Sequence, residues 1–81
     1  MARTTIEPRT ELGRQLEKER INRGLSKDEW AEELATSKPT YNQWLRGQEP
    51  MPVNIRNIAK TLGISTVDVW LWLEQDHAKD V

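Results

Sequence analysis

Residues 37–47 read SKPTYNQWLRG, and four side chains in that stretch, Lys38, Thr40, Asn42 and Gln43, carry hydrogen-bonding groups on the outside of a predicted short helix. A lysine supplies donors, an amide supplies a donor and an acceptor side by side, and a hydroxyl supplies both on one atom. Such a set suits directional recognition of another polar edge. It does not suit bond making, which needs a nucleophile, a base or a metal within reach of one another. The rest of the chain offers no catalytic set either. There is no cysteine and no glycine-rich phosphate loop, and the one histidine, His77, lies in a polar segment without ligand partners at metal spacing. The carboxylates Glu32 and Glu33 fall on solvent-facing helix positions. No enzyme, metal site or cofactor is expected. The open choice is between a helix that reads base edges and an ordinary helix with a wet face.

Length bounds what can hold that helix in place. Eighty-one residues make one small domain, and a core of that size supplies no more than about 3–5 kcal/mol of net stability. Without cysteine there is no disulfide, as expected of an intracellular chain. No apolar run approaches the roughly 20 residues that span a bilayer, and the start, MARTTIEPRT, has no signal-peptide segment. These features predict a cytoplasmic protein without a membrane partner. Twelve basic against thirteen acidic residues leave a net charge of -1, which argues against a generic nucleic-acid binder. The distribution is uneven. Residues 1–27 hold seven Arg and Lys against four Glu, residues 28–60 hold four against five acids, and residues 61–81 hold one against four. Between Thr36 and Gln48 the only charges are Lys38 and Arg46, so the stretch can approach phosphate without repulsion from its own side chains.

Capping chemistry divides the chain into five helices, over about 10–23, 26–35, 37–46, 53–62 and 65–75. Gly24, Gly47 and Gly63 follow helical runs, where a residue without Cβ closes the last turn. Ser26 and Ser65 each stand three residues before an acid, Glu29 and Asp68, the spacing of a reciprocal cap. Thr10 and Ser37 are simple caps, and Pro39 sits in a first turn, where its missing N–H is not needed. Leu12, Leu16 and Ile21, then Trp30, Ala31 and Leu34, then Tyr41 and Trp44, then Ile55, Ile58, Ala59 and Leu62 recur at helical spacing and mark the inward faces. Trp30 and Trp44 therefore read as core and not as stacking platforms for single-stranded bases. Arg14, Arg20 and Arg23 read as solvating cations on the first helix. The expected organisation is a flexible N-terminal arm over 1–9, a folded domain over 10–75 and a flexible tail over 76–81.

Helix two, a turn of about three residues and helix three form a helix-turn-helix pattern, and from Glu11 to Leu73 the chain resembles the lambda-repressor-like (Xre-type) DNA-binding domain. The resemblance is carried by LGRQLEKERINRGLSKDEWAEEL, SKPTYNQWLRG and IAKTLGIS. It implies an all-α, compact five-helix lambda-repressor-like domain. Ala31 supplies the small residue that a close helix crossing needs, with Leu34, Tyr41 and Trp44 behind it. Two positions depart from the family pattern. Ala35 stands where glycine is usual, because the turn favours positive φ. Either this turn differs or it carries strain of about 1 kcal/mol. Lys27 stands where a phosphate-contacting glutamine is common, and can reach a phosphate as a point charge.

The resemblance also implies roles. Lys38, Pro39, Thr40, Asn42 and Gln43 would enter the major groove, with Lys38 donating to guanine, Gln43 pairing with adenine, and Thr40 or Pro39 against a thymine methyl. Lys27, Ser37, Asn42 and Arg46 would hold phosphates, helped by free amides at the starts of helices two and three. Arg3 and Arg9 either enter a minor groove or belong to a basic tail. The function implied is a sequence-specific regulator of transcription on double-stranded DNA, a dimeric repressor of bacterial or phage type on a palindromic operator. A protein-interaction module on the same fold, an antitoxin or adaptor, is the alternative, and a non-specific nucleoid binder is disfavoured by the acidic C-terminal part. The homodimer is expected through Trp70, Leu71 and Trp72. Val69 to Leu73 are five apolar residues in a row, which wrap a helix completely and cannot all face one core.

Overall fold

The computed structural model describes the backbone of residues 8–79 and the side chains of residues 8–76. The elements are α1 Glu11–Arg23, α2 Lys27–Glu33, α3 Lys38–Leu45, α4 Pro52–Leu62 and α5 Thr66–Lys79, with no strand among the described residues. Each start has a physical cause. Thr10 Oγ1 accepts from the Gly13 N–H at 2.9 Å, and Ser37 Oγ accepts from Thr40 at 3.4 Å. Ser26 and Glu29 satisfy each other's amides, at 3.1 and 2.9 Å. Ser65 differs from the expected cap, because its Oγ accepts from Val67 while the Asp68 carboxylate accepts from the Ser65 N–H. α4 starts without a side-chain cap, on Pro52.

Four helices end alike. Gly24 with Leu25, Ala35 with Thr36, Gly47 with Gln48, and Gly63 with Ile64 each turn two consecutive N–H groups back onto the carbonyls of the last helical turn. The first residue of each pair has positive φ, at 68°, 59°, 118° and 72° respectively. Ala35 is the only non-glycine with positive φ among the described residues. The departure noted in the sequence is therefore a normal left-handed closure built with an alanine, and the alternative of a different turn is excluded.

α3 packs on α1 and α2, and α5 packs on α1 and α4. Between them lie Leu12, Leu16, Trp30, Ala31, Leu34, Tyr41, Trp44, Leu45, Ile55, Ile58, Ala59, Val69 and Leu73, all buried. Ile21 does not join them and is 65% exposed. The inward stripe of α1 runs 12, 16, 20 at steps of four, so its last inward position goes to Arg20. The folded part also extends beyond residues 10–75 on both sides. The Arg9 N–H donates to the Leu45 carbonyl at 3.0 Å, and Asp76 on α5 accepts from the Glu11 N–H at 2.6 Å, capping α1 from another helix. Gly13 makes the first of these possible, since a Cβ there would meet Pro8 Cβ at 3.0 Å and Thr10 Oγ1 at 3.1 Å.

Candidate nucleic-acid interface

The eight residues of α3 bury Tyr41, Trp44 and Leu45. At about 100° per residue those three occupy one side of the helix, and Pro39, Gln43 and Arg46 form the line opposite. All three of that line are exposed. Gln43 stands in its middle with both ends of its amide open. Thr40 and Asn42 are half-buried on the flanks. The Ser37 hydroxyl donates to Thr40 Oγ1 at 3.0 Å, so both hydroxyls are partly committed to the helix start. Asn42 Oδ1 is enclosed without a hydrogen-bond partner, which makes Asn42 the least available of the five residues expected at bases. Lys27 is half-buried at the first position of α2, and Arg46 is exposed at the end of α3.

Charge differs from the sequence reading in one respect. The stretch from 36 to 48 is free of acids along the chain, but the fold sets Asp28 Oδ2 4.0 Å from Lys38 Nζ. Asp28, Glu29, Glu32 and Glu33 are all exposed on α2. The Glu29 carboxyl is held below its ordinary value by the Ser26 backbone N–H and then by the Ser26 side chain.

Behind this exposed line of α3 lies a polar cluster formed with α1. Glu17 Oε2 accepts from the Tyr41 hydroxyl at 2.6 Å and from Arg20 Nε at 3.0 Å, Glu17 Oε1 accepts from Arg20 Nη2 at 3.0 Å, and Arg20 Nη1 donates to the Leu25 carbonyl at 2.8 Å. Burial pushes the Glu17 carboxyl up, but the bonds from Arg20 and Tyr41 and the charges of Arg20 and Lys27 outweigh it, so its pKa is lowered. The Arg20 pKa is raised by the same bond to Glu17. The Tyr41 pKa is raised far beyond its ordinary value, by burial first and then by its bond to the Glu17 carboxylate. Arg20 is therefore not a solvating cation. Arg23 stays exposed on the surface of α1, paired with Glu19 at 3.2 Å, and it also lies 5.1 Å from the Trp30 ring centroid and donates to the Thr61 carbonyl at 3.2 Å. Arg14 keeps the expected role, paired on the surface with Glu11 at 3.0 Å. The spacing of Glu17 and Arg20, three apart on one helix, was a visible signal for the pair. Nothing local pointed to Tyr41 as its third member. Arg9 is exposed beside the end of α3, whereas Arg3 and the His77 side chain lie outside the described residues.

Two helices joined by a left-handed turn, with the second presenting an exposed polar line, are the geometry of a helix-turn-helix. The sequence profile described as Helix-turn-helix, lambda-repressor/Xre-like, matches residues 16–69, more than half of the chain. The chain belongs to this helix-turn-helix family. It is thereby a DNA-binding helix-turn-helix regulator, of a family not typically enzymatic. No curated protein and no solved structure gives a significant match to the chain. Among the described residues, no helix of this helix-turn-helix domain is long and apolar enough to cross a membrane.

Along α5, Val69 and Leu73 face the core and Trp72 is half-buried against it. Val67, Trp70 and Leu71 remain 61%, 43% and 54% exposed. Trp72, expected with Trp70 and Leu71 at a dimer contact, is thus mostly taken up by its own core.

Proposed function

We propose that this domain is a sequence-specific regulator of double-stranded DNA that works as a dimeric repressor, covering an operator. The observation that carries the base-reading role is the exposed line of α3, Pro39, Gln43 and Arg46, flanked by Lys38 and Thr40. It holds a bidentate amide at its centre and a cation at its end. Gln43 and Lys38 then read purine edges, Pro39 and Thr40 lie against methyl groups, and Lys27, Ser37, Asn42 and Arg46 hold the backbone. The exposed apolar residues Trp70 and Leu71, with Val67, support pairing of two copies through α5. Two-fold pairing sets the reading helices about 34 Å apart and calls for a palindromic site.

Selection of bound sites from a random duplex pool tests this directly. A two-fold symmetric consensus is expected, bound far more tightly than random duplex. An enrichment that yields no consensus refutes base reading. The same apolar face, together with the exposed acids of α2, supports a second reading, a module that binds another protein. Absence of binding both to random duplex and to the DNA upstream of its own coding sequence favours that reading.

A further inference from the structure

Tyr41 lies on α3 about 200° from Gln43, so the two side chains leave the helix on nearly opposite sides. Its hydroxyl is 2.6 Å from Glu17 Oε2, and Glu17 is held in turn by the forked guanidinium of Arg20, itself tied to the Leu25 carbonyl ahead of α2. The chain of bonds thus runs from the reading helix through α1 to the start of the other helix of the motif. The remaining buried side chains of α3, Trp44 and Leu45, are apolar. Trp44 meets the Tyr41 ring edge-on, with centroids 6.3 Å apart. Trp30 Nε1 is buried without a hydrogen-bond partner.

We propose that Tyr41 is a positioning residue for DNA reading, whose anchor on Glu17 sets the roll of α3 and hence where Gln43 and Lys38 meet the bases. The inference rests on the base-reading function proposed above. Apolar contacts leave a short helix several nearby packings, because side chains exchange rotamers at little cost, and such cores lose uniqueness before stability. A buried hydroxyl on a carboxylate does not permit that, since the bond weakens steeply once its length and angle drift. This buried side-chain anchor therefore selects one roll among those that Trp44 and Leu45 would accept. Base contacts depend on that choice to within about 0.5 Å. Phosphate contacts from the long, flexible side chains of Lys27, on α2, and Arg46 depend on it less.

Binding of the wild type, Tyr41→Phe and Trp44→Phe to the selected site and to random duplex tests this, at a temperature where melting curves show each protein folded. Tyr41→Phe is expected to lower the ratio of specific to random binding by between about 2-fold and 30-fold, leaving random-duplex affinity unchanged and broadening the selected consensus. Trp44→Phe is expected to lower the melting temperature with the ratio intact. A wild type with no preference among sequences overturns base reading, and this inference with it. A wild type that prefers its site while Tyr41→Phe keeps the same ratio overturns the inference alone, as does a Trp44→Phe ratio that falls as far as that of Tyr41→Phe.

Discussion

Replacing Ala35 by glycine should stabilise the protein. Four helix ends share one closure, with glycine at three of them and alanine at the turn between α2 and α3, where φ is 59°. In the left-handed region an L-residue with a Cβ is disfavoured by about 1–2 kcal/mol relative to glycine. Against this stands the larger conformational freedom that glycine restores to the unfolded chain, about 0.5–1 kcal/mol. The balance favours glycine by between about 0 and 1.5 kcal/mol, with about 1 kcal/mol expected, and for a domain of this size 1 kcal/mol corresponds to an increase of about 4–8 °C in Tm. Ala35 is exposed, so its methyl group contributes no core packing to offset the gain. Urea and thermal unfolding followed by circular dichroism measure the change, with the denaturant slope expected to stay constant. DNA preference should not move, because the helix ends themselves keep their places. A fall in stability would refute the reasoning and show that the alanine is relaxed at this φ or that its methyl group is needed where it sits.

Gln43→Ala or Lys38→Ala should cost about 1–3 kcal/mol on the selected site and relax preference at particular base pairs, whereas Lys27→Ala or Arg46→Ala should weaken all duplexes alike and flatten the salt dependence. Site selection and salt titrations separate the two patterns, and an unchanged consensus at unchanged strength for Gln43→Ala would remove that residue from the reading face. Asp28→Asn frees Lys38 from its carboxylate neighbour and should tighten DNA binding about 2- to 5-fold at low salt, with the gain shrinking as salt is added; equal affinities at low salt would show that Asp28 does not restrain Lys38. Leu71→Glu should yield a monomer by sedimentation at micromolar concentration with weaker operator binding, and a wild type that is itself monomeric on DNA would end the pairing scheme. The Glu17 carboxyl has its pKa lowered by folding, so the stability it contributes is present above its unfolded pKa, near 4.5, and is lost as pH falls below that toward the folded value. Glu17→Gln should reduce stability at neutral pH and shallow the acid limb of urea midpoint against pH; an identical acid limb would mean that Glu17 is not a principal acid-sensitive group.

The helices themselves were legible from local chemistry. Ser26 with Glu29, Ser37 ahead of a first-turn proline, and glycines at 24, 47 and 63 are short-range signals, because caps and turn closures involve residues only a few positions apart. The inward positions of α2 and α4, and Tyr41 and Trp44 on α3, followed from periodicity for the same reason, whereas the buried Leu45 was not among the inward residues expected. The outward polar face of α3 was legible too, since its inward residues were. Local chemistry could not decide what occupies the inward line of α1 at its last turn. Periodicity favoured Ile21, but the space beside Tyr41 is filled by a carboxylate and its guanidinium, and polar groups enter a core only where partners from other helices satisfy them. Glu17 and Tyr41 are 24 residues apart, and Glu11 and Asp76 are 65 apart. Neither pairing leaves a trace in spacing. The approach of Asp28 to Lys38 is likewise a product of the angle between α2 and α3. Sequence alone determined which helices form, where α1 to α4 stop and which side of α2, α3 and α4 is wet. Only the tertiary structure decided which buried and surface charges meet, because those meetings depend on how the helices cross and not on the order of residues within them.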